Sequence, residues 1–287
     1  MAFRAHFAHK TLCTSRGVLS GSIYGFLVSM RTVKKNYPHC HFTIAWDTHS
    51  TRKKEIFADY KINRPPSSPI STHILDLKSI CSCLNVSQTE YEGEEADDVM
   101  ASLARIYKDD SNKIYIYTGD KDMRQLVENG RVIVVSPQRV YDEAAVKEEH
   151  GVYPKDYACF LCLRGDDNDD VPGVPRVRST RLAYLVEKYR TLEAVFDNLP
   201  NEKLTDYELE SLVVFKSQSF VNKQLVLLRD DLQLEIQTGF SNTEKLATYL
   251  DKYEIKVIKP DTYVKAFDIV TESRREVPKI ESYSLFE

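Results

Sequence analysis

No apolar run in this chain reaches the roughly 18 residues that a membrane-crossing helix requires. The N-terminus, with Arg4, His6, His9 and Lys10, lacks the apolar stretch of a secretory signal, so a cytoplasmic, non-membrane protein is expected. Zinc-finger cysteine spacing is also missing. Cys159 and Cys162 are spaced like half of such a site, but no second Cys or His pair follows at finger distance. The six cysteines (13, 40, 81, 83, 159 and 162) therefore read as reduced thiols. There is no internal repeat or low-complexity tract, and tryptophan occurs once, as Trp46 in an apolar run that reads as core. Nor is there an excess of one charge. The net charge is −4, but Arg52-Lys53-Lys54, Lys61 to Arg64 and Arg176 to Arg181 are basic clusters, and local field rather than net charge steers a polyanion.

What the sequence does have is carboxylate in short runs. Gly93 to Met100 (GEEADDVM) carries Glu95, Asp97 and Asp98 at the expected start of a helix. Thr118-Gly119-Asp120-Lys121-Asp122 and Gly165-Asp166-Asp167-Asn168-Asp169-Asp170 follow. Crowded carboxylates repel one another unless something cationic sits among them. Oxygen-only donor sets suit hard divalent ions such as Mg²⁺ or Mn²⁺, so the pattern points to a metal-dependent, phosphate-processing enzyme. Each run also has a plainer reading. Glu95 to Asp98 could simply place charge at a helix N-terminus. Asp166 to Asp170 could be a calcium loop or a helix cap, and Arg52 to Lys54 an exposed face. Asp142-Glu143 and Glu148-Glu149 read as solvated surface.

Periodicity supplies the frame. His41 to Trp46, Lys113 to Tyr117 and Arg131 to Val135 read as strands; Ile23 to Val33, Ile70 to Cys83 and Asp97 to Tyr107 read as helices between them. This alternation predicts an α/β fold with a mainly parallel central sheet flanked by helices, over residues 1–141. Ligands bind beyond the carboxyl ends of such strands, where Asp47 and Asp120 fall. From 142 to 258 helical patterns dominate: Lys155 to Leu163, Thr180 to Tyr189 and Ser219 to Leu228, with Val171-Pro172-Gly173-Val174-Pro175 as a rigid turn. Residues 259–287 read as a polar C-terminal tail.

The motifs, in order and spacing over about residues 3 to 235, resemble the 5′-nucleases: the 5′-nuclease domain of bacterial DNA polymerase I and stand-alone phage and bacterial flap endonucleases. The matching segments are Phe3-Arg4-Ala5, Ile23-Tyr24-Gly25, Trp46-Asp47, Tyr60-Lys61 with Arg64-Pro65-Pro66, Glu95-Ala96-Asp97-Asp98, Thr118 to Met123, and Gly165-Asp166 through Asp169 to Pro175. The resemblance implies a two-metal nuclease acting on DNA with a 5′ end or 5′ flap, with RNA of RNA–DNA hybrids as a further candidate substrate. It implies a first metal centre of Asp47, Glu95, Asp97 and Asp98 and a second of Asp120, Asp122, Asp166 and Asp169, holding Mg²⁺ with Mn²⁺ as substitute. Lys61 and Arg64 would act at the scissile phosphate. DNA would be held by Arg4, Lys53, Tyr60, Lys61, Arg64, Arg176 and Arg178, with Tyr60 divided between stacking on a base and a core role. Residues 52–72 correspond to the helical arch, and the region around 165–185 to a helix–three-turn–helix element gripping duplex backbone. The protein is expected to be a monomer.

Two departures stand out. Family members carry a strand ending in Asp-Gly ahead of the segment matched by Phe3-Arg4-Ala5. This sequence has no such strand, and its first acidic residue is Asp47. The expectation is a sheet short of a central strand and weakened catalysis, with a catalytically impaired, branched-DNA-binding protein as the alternative function. Where the family has Gly-x-Gly after Pro175, this chain has Arg176-Val177-Arg178. Arginine there blocks close backbone approach but can bind phosphate, and a potassium site is not expected.

Overall fold

The computed structural model describes residues 7–48, 50–63, 69–108, 112–128, 130–268 and 284–286. The first elements are helix α1 (Gly21–Asn36), strand β1 (Phe42–Ala45), helices α2 (Arg52–Ile56) and α3 (Ile74–Ser82), strand β2 (Ser87–Thr89), helix α4 (Ala96–Ile106), and strands β3 (Ile114–Tyr117), β4 (Val132–Val135) and β5 (Val140–Tyr141). Then come helices α5 (Glu143–His150), α6 (Pro154–Arg164), α7 (Ser179–Tyr189), α8 (Leu192–Asn198) and α9 (Asp206–Val226). Strand β6 (Gln237–Thr238), helices α10 (Thr243–Lys252) and α11 (Pro260–Phe267) and strand β7 (Ser284–Phe286) complete the order. The α/β class and the expected strands and helices are present.

The described residues form two compact units. One draws on 1–47, 65–90 and 233–287, the other on 48–64 and 91–232. Each unit therefore draws on separate stretches of the chain, grouped by packing rather than by chain continuity.

In the first unit, β1 pairs in parallel with β2, Thr43 opposite Ser87. On its other edge β1 pairs in parallel with β7, Phe42 opposite Ser284, and β6 closes β2 in antiparallel fashion. Residues 284–286 thus occupy the edge of β1 that β2 leaves open. Ile23, Phe26, Leu27 and Met30 bury one face of α1 completely, as residues recurring every three to four positions should. Phe26 stacks on Trp46 at 6.1 Å, and the Trp46 indole donates to Gln88 at 2.9 Å, so this tryptophan is core.

Residues 259–287, read as a polar tail, also contain α11, and this corrects the expectation. Tyr263, Val264 and Phe267 are buried there; the Tyr263 hydroxyl donates to the Leu27 carbonyl at 2.6 Å, and Phe267 meets Phe42 edge-on. An apolar face of three residues is easily masked by polar neighbours.

In the second unit, β3 pairs in parallel with β4 and β5 adds an antiparallel edge. Alternate residues of β3, Ile114 and Ile116, are buried, the period-2 signature of a strand. Helix α4 buries Ala96, Val99, Met100, Leu103 and Ala104. The turn after α6 is drawn tight by glycine. A Cβ on Gly165 would stand 2.5 Å from Gly173 N and Val171 O, and one on Gly173 2.0 Å from the Arg164 carbonyl. Asn222 of α9, fully buried, donates to the carbonyls of Cys162 (2.9 Å) and Pro172 (2.7 Å) and fixes this turn from behind.

Candidate active site

The second unit gathers seven of the eight acids expected at the metal centres. Asp47 belongs to the first unit, exposed just past β1. Arg4 and Arg64, with Phe3, Ala5, Pro65 and Pro66, lie outside the described residues.

Glu95 stands at the N-terminal boundary of α4, with Asp97 and Asp98 in the first turn, where negative charge meets the positive end of the helix dipole. The Glu95 carboxylate does not cap that helix. It is occupied from the side. Lys53 of α2 donates to Oε2 at 2.8 Å, the Tyr60 hydroxyl donates to the same oxygen at 2.9 Å, and Lys61 donates to Oε1. Burial alone would raise the Glu95 carboxyl, but the Lys53 and Lys61 ammoniums outweigh it and hold it down at about 2. Asp98 is completely buried; its Oδ1 accepts the Arg229 amide at 2.8 Å, while Oδ2 faces Arg52 (3.5 Å) and Lys53 (3.6 Å) without a hydrogen bond. Its carboxyl is raised, by burial first and against the pull of Lys53.

The other acids come from two loops. After β3, the Thr118 hydroxyl accepts the Asp120 amide and Asp120 Oδ1 accepts the Asp122 amide, both at 3.0 Å, which turns the chain into the 3₁₀ turn Asp122–Leu126. After α6, Asp166 caps the short 3₁₀ turn Asp167–Asp169, its Oδ1 accepting the Asn168 amide at 2.9 Å. The helix-cap reading of that run holds for Asp166, and Lys121 reaches the same carboxylate at 3.5 Å. Asp169 joins the two sides: Tyr60 donates to its Oδ2 at 3.2 Å and Lys61 stands 3.5 Å away. Asp122 is the most perturbed carboxyl. Burial and then the charges of Asp120, Asp166 and Asp169 push it up to about 8, and its buried Oδ1 has no hydrogen-bond partner.

Two residues read as DNA contacts are placed inside. Lys53 is 3% exposed with its ammonium on Glu95 and Asp98; Tyr60, also 3% exposed, turns its hydroxyl to Glu95 and Asp169 rather than offering its ring to a base. The basic run of α2 was read as an exposed face, but the acids opposite draw Lys53 in, and of the two roles left open for Tyr60 its burial matches the core one. Lys61 is 12% exposed at the rim, with φ +55°. Arg176 and Arg178 are exposed ahead of α7, Arg176 at φ +62°. Sequence reasoning missed Glu94, buried and gripped by Arg52 (3.1 Å) and Arg229 (2.6 Å). Its signal was its place in the acidic run, next to a residue already chosen.

Among the described residues no three Asp, Glu, His or Cys side chains stand together in metal-ligating geometry. Unneutralised carboxylates keep apart, and lysines stand between them. The donor chemistry nevertheless fits a hard cation: oxygen ligands only, buried carboxylate oxygens without hydrogen bonds, Asp98 Oδ2 and Asp122 Oδ1 among them, and one acid pushed toward neutrality by burial and its neighbours.

Two family descriptions match, the 5′-3′ exonuclease N-terminal resolvase-like domain over residues 1–151 and the 5′-3′ exonuclease C-terminal SAM fold over residues 152–248. The chain is 31% identical to a 5′-3′ exonuclease of Aquifex aeolicus, covering 88% of this chain and 89% of that one. It is 30% identical to DNA polymerase I of Caldicellulosiruptor bescii across 99% of its length, but spans only 35% of that protein. The flap endonuclease of bacteriophage T5, solved as a pseudo-enzyme–product complex with DNA and metal ions, shares the fold at a TM-score of 0.59, with 17% identity, 85% of this chain and 89% of that one covered.

Proposed function

The chain belongs to the 5′-3′ exonuclease family, and from that premise we propose that it hydrolyses phosphodiester bonds at 5′ ends and 5′ flaps of DNA, using two divalent ions, Mg²⁺ in the first place. The observation that carries this reading is the acid cluster of the second unit, where Asp122 is held up at about 8 by burial and by Asp120, Asp166 and Asp169. So many acids around one interior carboxyl destabilise a fold unless they serve a cation.

Glu95, Asp97 and Asp98 would hold one ion, and Asp120, Asp122, Asp166 and Asp169 the other. When bound, such a pair supplies an activated water and stabilises the leaving oxygen of an in-line displacement. The remaining work falls to the chain's own cations. Lys61, at the rim and in contact with Glu95 and Asp169, is placed to shift its ammonium from carboxylate to an incoming phosphate, offsetting charge that grows in the transition state. Tyr60 keeps its proton, since burial and then the Glu95 and Asp169 charges raise its phenol, so it donates hydrogen bonds and orients both acids. Exposed Arg176 and Arg178 grip duplex phosphates without reading bases. The protein would work in the cytoplasm; among the described residues no helix is long and apolar enough to cross a membrane.

Cleavage of a 5′-labelled flap duplex in Mg²⁺ and in EDTA, for the wild type and Asp97→Asn, tests the reading. Metal-dependent cutting near the junction, lost in the variant, is expected. Tight flap binding without cutting in Mg²⁺ or Mn²⁺ would instead make this a branched-DNA-binding protein.

A further inference from the structure

We propose that Lys53 is a positioning residue for the acid cluster: a fixed interior ammonium that holds Glu95 and Asp98 in place and limits how much divalent charge the cluster takes up. The inference rests on the nuclease reading. Three consecutive basic residues lead α2, and they are treated differently. Lys54 is exposed and the Arg52 side chain is 27% exposed, whereas Lys53 is buried. A buried ammonium is costly unless paired, and Lys53 has two carboxylates: Glu95 Oε2 at 2.8 Å and Asp98 Oδ2 at 3.6 Å. With Lys61 also on Glu95 and Arg52 facing Asp98, these carboxylates are largely neutralised from within, and Lys53 is the cation among them that is buried. The Tyr60 ring lies 5.6 Å from the ammonium, and its hydroxyl shares Glu95 Oε2, so the lysine is enclosed by the same side chain that braces its partner.

The Lys53 charge acts on Glu95 and Asp98, which it faces, and on Asp97 beside them. Lys61 shares Glu95 but sits at the rim, where it can leave for a phosphate; Lys53 cannot leave without unpacking α2 from Glu95 and Tyr60. The two lysines on one carboxylate therefore divide the work: one is exchangeable, the other permanent.

The test measures Mn²⁺ binding to the DNA-free chain by calorimetry, flap binding in Ca²⁺, and flap cleavage across metal concentrations, for wild type, Lys53→Met and Lys53→Arg. Removing a unit charge beside two metal-facing carboxylates should tighten Mn²⁺ binding about tenfold while kcat falls about tenfold or more, with flap affinity unchanged. Lys53→Arg, which keeps the charge, should restore Mn²⁺ affinity to near the wild-type value and recover most of kcat. A folded Lys53→Met with unchanged or weaker Mn²⁺ affinity overturns the proposal. So does a loss of flap affinity at constant Mn²⁺ affinity, which would make Lys53 a DNA contact. If Lys53→Met does not fold, Lys53→Gln takes the same measurements; failure of both to fold in saturating Mn²⁺ assigns a purely structural lysine and also overturns it. Mn²⁺ affinity is read without DNA or turnover. A wild type that binds Mn²⁺ but cuts nothing therefore refutes the nuclease reading and leaves the Lys53 question separately decided.

Discussion

Glu95 and Asp122 lie in the same unit, carry the same kind of group and are both surrounded by charge, yet they are held at opposite ends of the carboxyl range. Glu95 receives Lys53, Lys61 and the Tyr60 hydroxyl, and its carboxyl stays at about 2. Asp122 is raised by burial and then by the acids around it, against the pull of Lys53, and stands at about 8. The protein has neutralised one half of its acid cluster with its own cations and left the other in deficit. The deficit half is where an external cation gains most, and the neutralised half is where the fold gains most.

That contrast can be broken by experiment. The largest effect is expected from Asp122→Asn: flap cleavage in Mg²⁺ should fall about a thousandfold, a loss typical of removing a key electrostatic group. The metal-free variant should nonetheless unfold in urea with about 1–2 kcal/mol more stability at pH 8, because the raised carboxyl is gone. Loss of stability there would erase the distinction. Glu95→Gln should do the opposite, costing about 3 kcal/mol in EDTA at pH 7, since it strips a buried ammonium of its nearest partner; a neutral result would show that Asp98 alone satisfies Lys53.

The pH profile sharpens the comparison next. An unfolded aspartate releases its proton near pH 3.9, whereas folded Asp122 keeps its proton up to about 8. Between those values the native state holds the extra proton, so metal-free stability should fall as pH rises, by up to about 1.4 kcal/mol per unit. Asp122→Asn should flatten that slope in denaturation measured from pH 5 to 8, and saturating Mg²⁺ should flatten it in the wild type. Glu95 contributes in the other sense: its stabilisation is in place above about pH 4.3 and is lost as pH falls toward 2.

The smallest effect is expected away from the cluster. Arg176 holds φ +62°, a conformation glycine adopts without steric cost. Arg176→Gly should therefore stabilise the fold by about 0.5 kcal/mol while weakening duplex binding, read by thermal unfolding and by a salt titration of DNA affinity. Stability and binding moving together would remove the arginine from the phosphate-binding role.

Much of this was legible in the sequence because it is written in local pattern. The alternation of strands and helices, the apolar stripe of α4 and the Val171–Pro175 turn follow from backbone and side-chain periodicity, and the acidic runs are visible as residue types. Other parts were not legible for equally physical reasons. Glycine spacing does not say that Gly165 and Gly173 pass within contact of each other's backbone. Three residues, Ser284 to Phe286, are too short a run to announce a strand, and only pairing with β1 makes them one. The apolar face of α11 was hidden among polar neighbours.

By itself the sequence determined the family, the fold class and the inventory of acids and bases, since these depend on residue type and spacing. Only the tertiary structure decided which way each charged side chain faces. Lys53 and Lys54 are adjacent and equally basic, and nothing local separates them. Burial against Glu95 and Asp98 makes one an interior counter-charge, and water keeps the other at the surface, because the cost of desolvating an ammonium is met only where carboxylates already wait.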